Sequence, residues 1–117
     1  MKKIKIKLMT DYFCHPIWGL DRDNIGDIDP QTLPLSSETI KRLHKWKETY
    51  NAILNRADPA TSGFATRQQE EAFEEEGISL WYQLRQELPS NYEVWYFSDR
   101  LQQEIADPSQ LMTPVSK

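Results

Sequence analysis

Residues 3–8 alternate without exception between lysine (Lys3, Lys5, Lys7) and an aliphatic side chain (Ile4, Ile6, Leu8). Only an extended backbone sorts side chains at a period of two, so the segment predicts a strand with a dry face and a lysine face. Its reach extends through Met9 and toward Tyr12. A strand needs a partner, and the other strong β signal lies near the far end of the chain. Tyr92 to Phe97 (YEVWYF) is built of aromatic and β-branched residues, with Tyr92, Val94 and Tyr96 on one face and Glu93, Trp95 and Phe97 on the other. Two strands alone are marginal in water, so helices must cover one face.

Two helical patterns lie between these strands. The first opens with Ser36 as N-cap, with Leu35 and Ile40 placed for a hydrophobic staple. Ile40, Leu43, Trp46 or Lys47, Tyr50, Ile53 and Leu54 then follow helical spacing, and the helix is expected to end near Asn55, ahead of Asp58-Pro59. Glu38 with Arg42 and His44 with Glu48 are i,i+4 pairs on its wet side. The second helix has Thr66 as N-cap and Gln69 at the third helical position, a capping box. Its apolar stripe runs Phe73, Gly77, Leu80 or Trp81, Leu84 and Leu88, and Pro89 stops it. Gly77 costs a helix up to about 1 kcal/mol against alanine, which a close approach of Trp46 or Tyr50 would offset.

The predicted fold is therefore a single α+β domain over residues 1–106, in the order β-α-α-β. It has a two-stranded, antiparallel sheet covered by a helical hairpin. Asp99 to Ala106 reads as a short third helix, and residues 107–117 as a loose tail. Two connections, 13–35 and 55–65, exceed the usual length, and long ordered loops are disproportionately functional. The shorter one is expected to be a structured turn, reversed at Ser62-Gly63 and plugged by Phe64.

Lysine and arginine number 14 against 18 aspartates and glutamates, a formal net charge of −4. That balance argues against a general nucleic-acid binder. No apolar run approaches the roughly 20 residues that span a bilayer, and the lysine-rich start lacks the apolar core of a secretion signal. A cytoplasmic protein of bacterial type, binding neither nucleic acid nor membrane, is expected. Cys14 is the single cysteine, which excludes an internal disulfide and a cysteine-rich zinc site.

The most charged stretch is GLDRDNIGDIDP, residues 19–30, which places Asp21, Asp23, Asp27 and Asp29 around Gly26. Counted from Asp21 as a calcium loop, Asp23 and Gly26 fit. Ile25 and Thr32 then stand where oxygen ligands are required, Thr32 at the bidentate position. An acidic surface turn explains the stretch without a metal. Cys14 and His15 point to opposite faces of an extended segment and make no nucleophile–base pair, and a pair with His44 has no local support. No catalytic residue, metal or cofactor is expected. The lysine stripe could track phosphates with Trp95 as a stacking platform, but lysine stems covering Trp95 and Phe97 on a wet sheet face explain it more simply. Glu70, Glu71, Glu74, Glu75 and Glu76 read mostly as the solvent side of the second helix, and with the four aspartates they make two negative patches.

At the strand ending KLMTDY, at Pro16-Ile17-Trp18, at Gly26 to Pro30 with Leu33 to Ser36, and at Asp58-Pro59 with Ser62-Gly63-Phe64, the chain resembles a small bacterial family of about its length. The resemblance covers most of residues 4–97 and implies no enzymatic activity. In size and acidity the chain is also similar to immunity proteins of contact-dependent toxins. The expectation is a non-enzymatic binding protein that occludes the active site of a basic toxin or nuclease. Its partner-binding residues would be Phe13 and Trp18 as anchors, with Asp21, Asp23, Asp27 and Asp29 supplying charge. A small metal- or cysteine-dependent hydrolase and a subunit-type interaction module are the alternatives.

Overall fold

The computed structural model describes residues 4–11, 13–21, 25–53, 63–98 and 101–106. Among them are β1 (Ile4–Leu8), β2 (Ile17–Gly19), β3 (Gly26–Ile28), α1 (Ser37–Ala52), α2 (Arg67–Glu87), β4 (Tyr92–Ser98) and β5 (Gln103–Ile105), with a 3-10 turn at Pro30–Thr32. All five strands form one mixed sheet in the order β3-β2-β1-β4-β5. The expected two-stranded sheet is thus overturned. The three additional strands are three residues each, too short to carry a period, and β3 is spelled Gly-Asp-Ile, two of which strands disfavour.

The expected antiparallel pairing is corrected as well. β1 and β4 run parallel, with Ile6 opposite Val94 and Lys7 opposite Trp95. The reason is the hidden meander: β1 pairs antiparallel with β2, and β2 with β3, so two reversals restore the direction of β1. The helical pair then serves as the long crossover that a parallel pairing requires. The expected third helix is also absent. Gln102, at φ 55°, donates its N–H to the Ser98 carbonyl at 2.7 Å and folds the chain back, so that β5 pairs antiparallel with β4. The tail 107–117, Asp99, and the Asp58-Pro59 and Ser62 positions lie outside the described residues.

The alternation at the N-terminus sorts as its period dictates. Ile6 and Leu8 are fully buried and join Ile17, Val94, Tyr96 and Ile105 in one core with the helices. Lys5 and Lys7 lie on the opposite face. Lys7 reaches Glu104 on β5 at 2.7 Å, and its ammonium stands 5.9 Å from the centre of the Phe97 ring, so the stem lies over the aromatic as a wet-face lysine should.

Ser36 Oγ accepts the Thr39 N–H at 3.2 Å and starts α1. Thr66 Oγ1 accepts the Gln69 N–H at 3.1 Å and starts α2, while Gln69 reaches back to the N–H of Ala65. The helices are joined by polar clamps. Glu87 accepts from Ser36, Thr39 and Gln83, which ties the end of α2 to the start of α1. Partial burial works against its charge, but the bonds from Thr39, the Ser36 N–H, Gln83 and the Ser36 hydroxyl outweigh it and lower its pKa to about 2. Arg42 reaches across to Glu76 through two bonds of 3.0 and 3.1 Å. Glu74 departs from the expected solvent face: it is buried, and accepts from Ser98 Oγ at 2.6 Å and Tyr96 Oη at 3.1 Å. Phe64 packs at 5.1 Å from Phe73, closing the core beneath the start of α2.

Gly77 is the tightest point. A β-carbon there would stand 2.6 Å from Tyr96 Oη and 2.7 Å from Trp46 Cζ2. Neither ring is free to yield, because Tyr96 is held by Glu74 and Trp46 donates its Nε1–H to the Phe73 carbonyl at 3.0 Å. Gly77→Ala gains about 1 kcal/mol of helix propensity. Overpacking costs about 1–3 kcal/mol, and occasionally more. The clash wins here because both contacts fall well inside van der Waals distance. Urea unfolding is therefore expected to show a net destabilisation by Gly77→Ala; a midpoint unchanged or raised would mean the rings reposition freely.

Candidate functional site

Segment 13–32 holds the residues that the sequence singles out as partner-binding. It is not one open loop: β2, β3 and the 3-10 turn all fall within it. The described aspartates shape this segment. Asp21 Oδ2 accepts the Lys5 N–H at 2.8 Å, one rung beyond the Leu20 N–H to Lys5 carbonyl bond, so its carboxylate lengthens the β1–β2 ladder. Asp27, opposite Trp18 in the β2–β3 pair, accepts the His15 N–H at 2.7 Å and meets the ring Nδ1 at 2.5 Å. Asp29 Oδ1 accepts the Gln31 N–H at 2.9 Å and caps the 3-10 turn. Gly26, at φ 102°, supplies the left-handed conformation that begins β3. Asp23 and Tyr12 lie outside the described residues.

The two aromatic anchors have different settings. Trp18 is half-buried and donates its Nε1–H to the Met9 carbonyl at 2.9 Å. Phe13 is 61% exposed, at φ 61°, with its N–H held by Asn51 Oδ1 of α1 at 2.9 Å. A bulky residue at positive φ is a steric outlier, and such conformations persist where surrounding bonds impose them. Ile25 is a further exposed apolar residue, at 77%. In the sequence it stands out only as the residue that breaks a calcium-loop pattern; an isoleucine between Asn24 and Gly26 is also a visible apolar signal.

Between this segment and α1 runs a groove of about 480 Å³ that His15 and His44 both line, with Asp29, Lys41 and Lys47. Lys41, His44 and Lys47 recur every third residue along one side of α1, a spacing readable from the sequence but unremarked there. Cys14 is half-buried, and burial, followed by the charges of Asp11 and Asp27, raises its thiol pKa against a lowering by Lys47. A nucleophilic cysteine needs the opposite shift. Among the described residues no three His, Cys, Asp or Glu side chains are grouped to hold a metal ion, and no helix is long and apolar enough to cross a membrane.

The sequence profile of the Serratia CdiI immunity protein-like family matches residues 4–99. The chain belongs to that family. The match runs from β1 through β4 and so takes in the whole of segment 13–32 and the helix that backs it. No curated protein matches the chain. Within the matched region this domain carries Phe13, 61% exposed and at φ 61°, on a hydrogen-bonded scaffold. Phe13→Gly removes the steric conflict, worth about 1–2 kcal/mol for a side chain in the left-handed region, and restores glycine's larger unfolded entropy. Thermal melting is expected to show the variant at least as stable as the parent; a loss beyond about 1 kcal/mol would make the ring a structural element instead.

Proposed function

We propose that the protein is a non-enzymatic immunity protein that binds a bacterial toxin or nuclease and occludes its basic active site through segment 13–30. The observation that carries this is Phe13, a large aromatic kept exposed at an unfavourable backbone angle on a domain of an immunity protein-like family. Interfaces concentrate their energy in such aromatic anchors. Ile25, 77% exposed, offers a second apolar contact at the other end of the β2–β3 hairpin, and Trp18 a half-buried aromatic on the sheet. Asp21, Asp23, Asp27 and Asp29 supply a negative field that draws a basic partner to the surface and sets its orientation. The raised Cys14 thiol pKa speaks against a cysteine hydrolase. No observation favours an interaction module of a larger assembly over an immunity protein.

Asparagine keeps an acceptor oxygen for each backbone N–H that Asp21, Asp27 and Asp29 hold, so exchanging all four aspartates removes charge while leaving the scaffold these bonding partners. With the toxin recovered by pull-down from the native host, the fourfold variant is expected to associate about tenfold more slowly at low salt, with the difference shrinking as salt rises. Association rates equal to the parent's would remove the acidic segment from the interface.

A further inference from the structure

The groove beside segment 13–32 has a charge opposite to the one the aspartates present. Lys41, His44 and Lys47 line it from α1, and among the described residues no side-chain hydrogen bond or ion pair is made by any of the three. This is unusual for a chain with an excess of carboxylates. The helix itself gives Lys47 no relief: Leu43, His44, Tyr50 and Asn51 occupy the positions three and four residues away. Glu38 stands three residues before Lys41, yet the two form no ion pair. The lining also includes Pro16, which is buried, and Ile40, which is half-buried, so an entering side chain meets apolar as well as cationic surface. Asp29 stands on the opposite wall and limits the positive field to the α1 side.

We propose that this groove receives carboxylate side chains from the toxin, so that one interface alternates in sign: aspartates of segment 13–30 toward basic groups of the partner, and Lys41, His44 and Lys47 toward acidic ones. The inference rests on the immunity function proposed above. A lining of both apolar and lysine side chains suits a glutamate, whose methylenes cover Pro16 and Ile40 while its carboxylate meets two ammonium groups. The groove shares a wall with segment 13–32, so a partner seated on that segment borders it. Alternating charge also rejects wrong partners, because a merely basic surface would set its own cations against Lys41 and Lys47.

The test uses the toxin purified after capture from the native host and the full-length chain. A Lys41→Glu, Lys47→Glu double variant is expected to bind at least about tenfold more weakly, mainly through faster dissociation. Lys45→Glu, on the side of α1 that faces the α2 cleft, is expected to bind within about twofold of the parent. If the reversed pair does not fold, Lys41→Gln with Lys47→Gln removes the same charges and is expected to weaken binding about threefold or more. A groove variant with parental affinity, beside a fourfold aspartate variant that is weakened, overturns the groove proposal and leaves the immunity function standing. Capture of no toxin overturns the immunity function, and this inference with it.

Discussion

The structure depends on one five-residue strand holding two ladders at once. β1 pairs antiparallel with β2 on one side and parallel with β4 on the other, and so stands at the centre of the sheet. Its inward side chains, Ile6 and Leu8, are fully buried, each worth about 1.5–3 kcal/mol of apolar transfer. The parallel pairing dictates a long connection, which α1 and α2 provide. They can close over the sheet only because Gly77 lets the Trp46 and Tyr96 rings approach where any side chain would intrude. The polar groups drawn into that closure are all partnered: Glu74 by Ser98 and Tyr96, Trp46 by Phe73, and Trp81 by the Val94 carbonyl at 2.8 Å. Buried donors and acceptors left open would cost more than the bonds return, so these pairs preserve the core's gain rather than add to it.

The same central strand determines what the acidic segment is. With β1 in the middle, β2 pairs along it and β3 along β2, so the described parts of segment 13–32 are held in the sheet. The carboxylates then have two roles. They present negative charge, and they fix the backbone: Asp21 on the Lys5 N–H, Asp27 on His15, Asp29 on the 3-10 turn. A surface already held in this way loses little conformational freedom when a partner docks, which favours tight binding from a small area. The strained Phe13 fits that pattern, since Asn51 on α1 holds its N–H and so ties the exposed ring to the rigid part of the molecule.

Much of this was legible in the residues. The lysine–aliphatic alternation of β1, the aromatic β4, the caps at Ser36 and Thr66 and the tight contact at Gly77 all followed from local rules. The topology did not. Ile17–Gly19, Gly26–Ile28 and Gln103–Ile105 are strands only because neighbouring strands supply their bonds, and three residues cannot display a period. Without them the chain shows fewer reversals than it makes, and local rules then predict an antiparallel pair where β1 and β4 run parallel. Charge was legible in quantity but not in direction. Glu74 looked like its solvated neighbours and is buried, and Arg42, apparently a partner for Glu38, reaches Glu76 on the other helix. Long side chains choose among neighbours that only the fold supplies.

We propose that the described part of segment 13–32 is a docking surface formed before any partner arrives and not a loop that orders on contact. Hydrogen–deuterium exchange of the free protein tests it most directly, at the amides that the β2–β3 pairing and the carboxylates occupy: His15, Ile17, Gly19 and Ile28. The account predicts that these amides exchange slowly before any partner is added, with protection comparable to that of β1. Exchange there at the rate of an unstructured chain, while β1 and β4 remain protected, would contradict it.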